Sequence, residues 1–265
     1  MAYYNPPAIG GTKAQRPEEV TSGWGWVLPV LVAAGLVALL LAWSPIIGGG
    51  SGRVGDLLQD ACVLVLAPPS SAGSGFIINT EGYIVTNRHV ITGGEREPQG
   101  GMECIVVRQS GTPRKQSLKA RLVDWGHGPI ASADEIANDW AILKVDPPQP
   151  LPFLRIADSR KARATQPVYA AGYPGGPGNA AVGENPLLTI QEGTIRRMEP
   201  GQGGGIVRID HSATLKDGSS GGPLVDVGGA VLGINNQINA AAGSNFAIPT
   251  HRLPDVWRRY AGHPG

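Results

Sequence analysis

The chain has 265 residues and a formal net charge of +1, with no long run of either sign. That balance gives no support for a nucleic-acid surface. Its 39 glycines and 23 prolines, beside only 16% charged residues, describe many short elements joined by tight turns, so an all-β fold is expected, as one large domain or two small ones. The two cysteines, Cys62 and Cys104, are too few for a disulfide framework and are not spaced for a metal site. They read either as one disulfide or as small core residues. No metal and no cofactor are expected.

In chain order, residues 1–23 are a polar tail with Pro and Gly, a composition that favours disorder. Trp24 to Trp43 is a run of twenty residues without a charge. As a helix it would span about 30 Å, the thickness of a bilayer's hydrocarbon core. Trp24, Trp26 and Trp43 stand at its ends, where indoles favour the membrane interface. A transmembrane helix over 24–43 is expected. A cleaved signal peptide is the rival, but the charged patch Lys13 to Glu19 begins well inside the chain, and Leu41-Ala42-Trp43-Ser44 is not an obvious cleavage site. Lys13 and Arg16 before the span, against Arg53 after it, place the amino end in the cytoplasm and the bulk outside it. Residues 44–55 read as a Gly/Ser-rich linker, with one turn of helix over Asp56 to Gln59.

Short apolar runs separated by turns follow. Ala61 to Leu66 is a strand, and Gly75 to Ile78 and Tyr83 to Thr86 flank a hairpin signal, Asn79-Thr80-Glu81-Gly82. Cys104 to Arg108, Leu118 to Val123 and Trp140 to Val145 complete a first set, which ends at Pro147-Pro148. The second set is Val168 to Ala171, Leu187 to Gln191, Thr194 to Arg197, Ile206 to Ile209, Leu224-Val225, Ala230 to Ile234 and Phe246 to Ile248. Leu253 to Tyr260 reads as helical. Strands at this spacing suggest barrels or sandwiches, and the break near residue 150 suggests two domains, 56–150 and 151–265.

Three short segments carry candidate chemistry. Gly218-Ser219-Ser220-Gly221-Gly222 puts a serine among glycines, which let backbone N–H groups converge on one point. A serine hydroxyl also needs a base. His89 stands where the strand Tyr83 to Thr86 runs out, and His211, nine residues before Ser220, is the other candidate. Asp139 precedes the strand Trp140 to Val145, a place where aspartate is also a common turn cap.

Together the segments resemble the chymotrypsin-like serine proteases, and most closely their HtrA (Deg) group. The resemblance rests on Gly73-Ser74-Gly75-Phe76-Ile77-Ile78, Gly82 to Val90, Asn138 to Val145, Ala171-Gly172-Tyr173-Pro174-Gly175, Gly218 to Leu224 and Phe246-Ala247-Ile248-Pro249, in family order over about residues 57–255. It implies two antiparallel six-stranded barrels with the site between them, and a short C-terminal helix. It further implies Ser220 as nucleophile, His89 as base, Asp139 as the group that orients it, and the N–H groups of Gly218 and Ser220 as the oxyanion hole. Thr214, the run Gly233, Ile234, Asn235 and Asn236, and Asn245 are implied as the substrate pocket.

Several residues depart from the family. Ser219 stands where asparagine is common, Ser212 where aspartate is common, and Asn245 where glycine would leave a wider pocket. With no acid at Thr214, an uncharged residue is expected at the cleavage site. Polypeptides are the expected substrates, a homotrimer is in keeping with HtrA relatives, and no PDZ domain is expected before the end at Gly265.

Two rivals stand beside this reading. The Gly218-x-Ser220-x-Gly222 spacing also fits the nucleophile elbow of α/β-hydrolases, but strand-like sequence follows the serine where that fold needs a helix. The second rival is a non-proteolytic, membrane-anchored module of protease-like fold that binds unfolded or partner proteins.

Overall fold

The computed structural model describes residues 49–94, 96–175, 186–239 and 244–262. The tail 1–23 and the expected membrane span 24–43 lie outside them. Among the described residues, no helix is long and apolar enough to cross a membrane.

The first strands show how the sequence builds the fold. β1 (Cys62–Ala67) alternates two sets of apolar side chains. Val63, Val65 and Ala67 fill the interior of one barrel, with Ile77, Ile84, Val106 and Leu143. Cys62 and Leu64 point the other way, into a second core shared with Phe76 and Ile142. A strand apolar on both faces is one buried on both faces, and the period of two sorts its residues between the cores.

β1 pairs with β2 (Ser71–Ile77), and the order continues through β3 (Tyr83–Thr86), β6 (Ala141–Lys144), β5 (Gln116–Trp125) and β4 (Glu103–Arg108), which returns to β1 and closes the barrel. The second closed barrel runs β10 (Pro223–Asp226), β11 (Val231–Asn239), β12 (Ser244–Pro249), β9 (Ile206–His211), β8 (Thr189–Pro200) and β7 (Pro167–Gly172). All the ladders are antiparallel. The expected all-β, two-barrel fold is therefore present. Its interior in the second half is built from Val168, Ala170, Ile195, Ile209, Leu224 and Leu232. The core between the barrels draws on both halves, with Phe76 and Ile142 against Val225, Ile234, Ile248 and Trp257.

Three details differ from the sequence reading, and a fourth decides between alternatives it left open. Helix α1 (Gly49–Ala61) takes in most of the expected linker 44–55. Val54, Leu58 and Ala61 recur at helical spacing and are buried against the core between the barrels. That packing outweighs the poor helix propensity of the glycines. The runs read as separate strands over 187–191 and 194–197 are one bent strand, β8. Gly193 lets it press on β9's exit, since a Cβ there would lie 2.2 Å from the Ala213 backbone nitrogen. The C-terminal helix Pro254–Val256 passes into a π-helical turn, Trp257–Ala261. The buried Trp257 donates from Nε1 to the Thr250 carbonyl at 2.7 Å, and Tyr260 reaches Asp124 of the first barrel at 2.7 Å. Finally, Cys62 and Cys104 are free buried thiols, the small core residues of the two alternatives. The β1–β4 register pairs Leu66 with Ile105, so Cys104 faces the far end of β1 from Cys62, about 15 Å away and beyond disulfide reach.

His211, the other histidine considered as a base, ends β9 and is fully buried beside Ile195 and Asn245 of the neighbouring strands. Burial lowers its pKa to about 4; the Ala213 backbone opposes the shift and the charge of Arg196 adds to it. Below its ordinary value the unfolded chain takes up a proton that the folded chain refuses. Stability from this group is therefore complete near neutral pH and is lost as pH falls from about 6.5 to about 4, by up to roughly 3 kcal/mol. Urea unfolding at pH 7 and pH 4.5 is expected to show a larger stability loss on acidification for the wild type than for His211→Gln.

Candidate active site

The site lies where the two barrels meet, and its geometry starts from Asp139. This residue follows a 3₁₀ turn (Glu135–Asn138) and precedes β6. Its carboxylate is buried, with 3% of the side chain exposed. A carboxylate so buried needs donors, and three reach it. The His89 Nδ1 lies 2.6 Å from Oδ2, the His89 backbone N–H donates to Oδ1 at 2.9 Å, and Asn236 Nδ2 donates to Oδ2 at 2.5 Å. Asn236 belongs to β11, so the second barrel supplies one of the three.

The chain before and after Asp139 is held equally firmly. Asn87 Nδ2 donates to the Asp139 carbonyl at 2.7 Å. The buried Arg88 guanidinium donates to the carbonyls of Gly126 and Gly128 at 2.6 and 2.8 Å. Gly126 itself packs so tightly on Asn138 that a Cβ would lie 2.1 Å from its carbonyl oxygen.

His89 is in the short helix α2 (Arg88–Thr92), which follows β3 directly. Its ring is partly exposed, at 31% of the side chain. Because Nδ1 faces a carboxylate, the neutral ring carries its proton there and leaves the Nε2 lone pair outward. Beside His89 opens a cleft of about 440 Å³, lined by the β1–β2 turn Pro69 to Ser71 and by Thr92, Gly93, Gly94 and Arg96.

Ser220 sits in the tight turn leading to β10. Its Oγ donates to the Asn236 carbonyl at 3.2 Å. Among the described residues no hydrogen bond joins it to His89; the two are linked through Asn236 and Asp139. Gly221 has φ +86. A Cβ there would lie 2.1 Å from the Ser74 carbonyl oxygen and 2.4 Å from Thr86 Oγ1, so only glycine fits between the serine turn and the first barrel.

The backbone N–H groups of Gly218 and Ser220 are directed by their neighbours. The Asp217 carbonyl accepts from the Gly175 N–H at 2.9 Å, and the Ser219 carbonyl from the Gly222 N–H at 3.1 Å. In a trans peptide the N–H points opposite to the carbonyl. The Gly218 and Ser220 N–H groups therefore point away from those partners, and neither has an acceptor among the described residues. Gly218, at φ +95, adopts a backbone conformation that favours glycine.

The substrate-pocket residues divide. Thr214 is exposed, and next to it the Leu215 N–H donates to Asn245 Oδ1 at 3.2 Å, so Asn245 fills space that glycine would leave open. Gly233, Ile234 and Asn235 do not join them. Ile234 is buried in the core between the barrels. A Cβ on Gly233 would meet the Ile248 carbonyl at 2.8 Å, and the buried Asn235 side chain donates to the Pro223 carbonyl at 3.0 Å. The strand partner of Asn245 is Ile238, and the β11–β12 register slips between Asn235 and Gln237. Of the run expected on β11, Gly233, Ile234 and Asn235 are thus engaged in packing and in backbone contacts, and the Asn236 side chain reaches Asp139.

Residues 73–234, more than half of the chain, match the trypsin-like peptidase domain family. The chain belongs to the trypsin-like peptidases. Curated relatives include serine protease HTRA4 of Mus musculus, 33% identical over 198 residues, which are 72% of this chain and 35% of that protein. A probable periplasmic serine endoprotease DegP-like from Rhizobium meliloti is 32% identical over 194 residues, 71% of this chain and 33% of the relative. The corresponding protein of Pseudomonas fluorescens is 34% identical over 193 residues, with 70% and 34% covered. The chain thus spans about a third of the length of the relatives it matches.

Asn236 ends the run that the family resemblance assigned to the pocket walls, and its bond to Asp139 is what the sequence did not announce. Nothing in an Asn-Asn pair announces that the second reaches across to an aspartate 97 positions earlier. Asn236→Ala is expected to lower peptide turnover by about 10–100-fold, the loss of one hydrogen bond to a charged group. Asn236→Asp, which faces Asp139 with a second carboxylate, is expected to lose more. Steady-state kinetics on a fluorogenic peptide check both, and an unchanged kcat in either variant would contradict the assignment.

Proposed function

We propose that this protein is a serine endopeptidase that cleaves polypeptides through Ser220, His89 and Asp139. The observation that carries this reading is the buried Asp139 carboxylate. It receives two donors from His89 and one from Asn236, whose own carbonyl holds the Ser220 hydroxyl. Such an arrangement fixes the tautomer of one imidazole and ties one serine to the same aspartate through Asn236.

In the reaction the Ser220 hydroxyl turns from the Asn236 carbonyl to His89 Nε2. Its oxygen adds to the peptide carbonyl as its proton passes to Nε2, and the imidazolium is stabilised by Asp139. The carbonyl oxygen becomes an anion, for which the N–H groups of Gly218 and Ser220 are the donors. Collapse breaks the C–N bond. His89 gives its proton to the departing amine and leaves an acyl ester on Ser220, which water attacks by the same route. Because His89 protonates the amine, the cleft beside it takes the residues that follow the scissile bond. On the acyl side, Asn245 and Thr214 favour a small or medium uncharged residue.

The uncharged run 24–43 supports tethering to a membrane, with the barrels on its extracytoplasmic side. Unfolded or regulatory proteins are the proposed substrates, in keeping with the relatives called periplasmic endoproteases. The second reading, a binding module without turnover, draws on the Ser220 hydroxyl, which donates to the Asn236 carbonyl and, among the described residues, has no hydrogen bond to His89.

Turnover of casein separates the two. Ser220→Ala and His89→Ala are each expected to reduce it to near background, and the double variant is expected to be no worse, because the groups act as a unit. Asp139→Asn is expected to lower kcat by roughly 10⁴-fold without unfolding the protein. Additive losses would contradict a triad. Casein binding without cleavage by the wild type, matched by Ser220→Ala, would establish the binding module.

A further inference from the structure

Ser74 stands on β2 of the first barrel, fully buried. Its Oγ donates to the Gly218 carbonyl at 2.7 Å and accepts from the Tyr173 N–H at 2.8 Å. The direction of both bonds is fixed, since a backbone N–H can only donate and a carbonyl can only accept. The rest of the residue is engaged as well. Its N–H donates to the Ser220 carbonyl at 2.8 Å, and its own carbonyl accepts from Thr86 Oγ1 at 2.7 Å. One small residue of the first barrel thus binds the backbone on both sides of Ser219, in the second barrel.

We propose that Ser74 is a positioning residue for the oxyanion hole. It touches no reacting atom and acts through Gly218. Among the described residues the Gly218–Ser219 peptide is held at two points: the carbonyl by Ser74 Oγ and the Ser219 N–H by the Lys216 carbonyl at 2.9 Å. Gly218 has no Cβ to resist rotation. The hydroxyl of Ser74 supplies the restraint that a side chain at 218 would otherwise give. The Gly218 N–H belongs to the preceding Asp217–Gly218 peptide, whose carbonyl accepts from the Gly175 N–H at 2.9 Å. Ser74 fixes Gly218 from the other side of its Cα. Without that hydroxyl the two peptides turn more freely about the shared Cα, so that the N–H no longer points steadily at the place where negative charge develops. Fixed donors stabilise a transition state because they need no reorganisation when charge appears. The loss therefore falls on the chemical step and spares substrate binding. The flanking glycines agree with this role. A Cβ on Gly73 would lie 3.0 Å from the Ser220 carbonyl oxygen, and one on Gly172 would lie 2.9 Å from Ser74 Oγ. The three backbones can approach only because these positions are bare.

The role rests on the endopeptidase reading, and the test keeps the two apart. Full-length wild type, Ser74→Ala and Ser74→Cys are compared for kcat and KM on a fluorogenic peptide and for affinity to a peptide boronic acid. The boron accepts the Ser220 Oγ lone pair, the hydroxyl proton passes to His89, and the resulting tetrahedral anion occupies the oxyanion hole. Ser74→Ala is expected to lower kcat by roughly 10–100-fold, less than the loss of a whole oxyanion donor, with KM within about twofold. Boronate affinity should fall by the same factor as kcat, a parallel expected of transition-state stabilisation. Ser74→Cys, with a weaker donor of similar shape, should fall between the other two. It carries the test if the alanine variant does not fold. An active wild type beside a folded Ser74→Ala or Ser74→Cys of unchanged kcat would remove this role alone. So would a parallel rise in KM with boronate affinity intact. A wild type that neither turns over peptide nor binds boronate would remove the endopeptidase reading and this role with it.

Discussion

A carboxylate removed from water dictates most of the site. Asp139 is almost wholly buried, and an isolated charge in that position would be strongly destabilising. Its donors come from two barrels that fold around separate interiors. Satisfying Asp139 therefore requires the barrels to dock in one arrangement, with Asn236 of the second reaching the carboxylate that His89 of the first also binds. The requirement that neutralises the charge also orients the imidazole. Stability and site geometry have a common cause here.

The docking surface extends the same logic. Apolar burial supplies its attraction, through Phe76 and Ile142 on one side and Val225, Ile234 and Ile248 on the other. That contact is not directional. Direction comes from the buried polar seam, in which Ser74 reaches Gly218, Tyr173 and Ser220. The C-terminal turn adds a strap across the same junction, with Tyr260 bound to Asp124 and its carbonyl to Asn79 Nδ2. Bare glycines at 73, 172 and 221 let the backbones close to hydrogen-bonding distance.

The sequence made the strands and the three principal residues legible for a physical reason. Alternation in Cys62–Ala67 and the Asn79–Gly82 turn are local signals, and His89, Asp139 and Ser220 each stand inside a distinctive local motif. What it hid is non-local. Asn236, at a register slip in β11, is a partner of Asp139 across the two barrels, a contact between residues 97 positions apart. Ser74 looked like one more small residue in a Gly-rich strand until its hydroxyl was seen to face the other barrel. Helix α1 was obscured by its glycines, because the packing of Val54, Leu58 and Ala61 outweighs local propensity.

Covalent labelling tests the central claim most directly. The full-length chain, treated with a fluorophosphonate and digested for mass spectrometry, should carry a single adduct, on Ser220, that disappears in His89→Ala. A serine turn without an activating base would give no adduct under conditions that label a known serine protease. That result, or an adduct on Ser220 that persists undiminished in His89→Ala, would contradict the account.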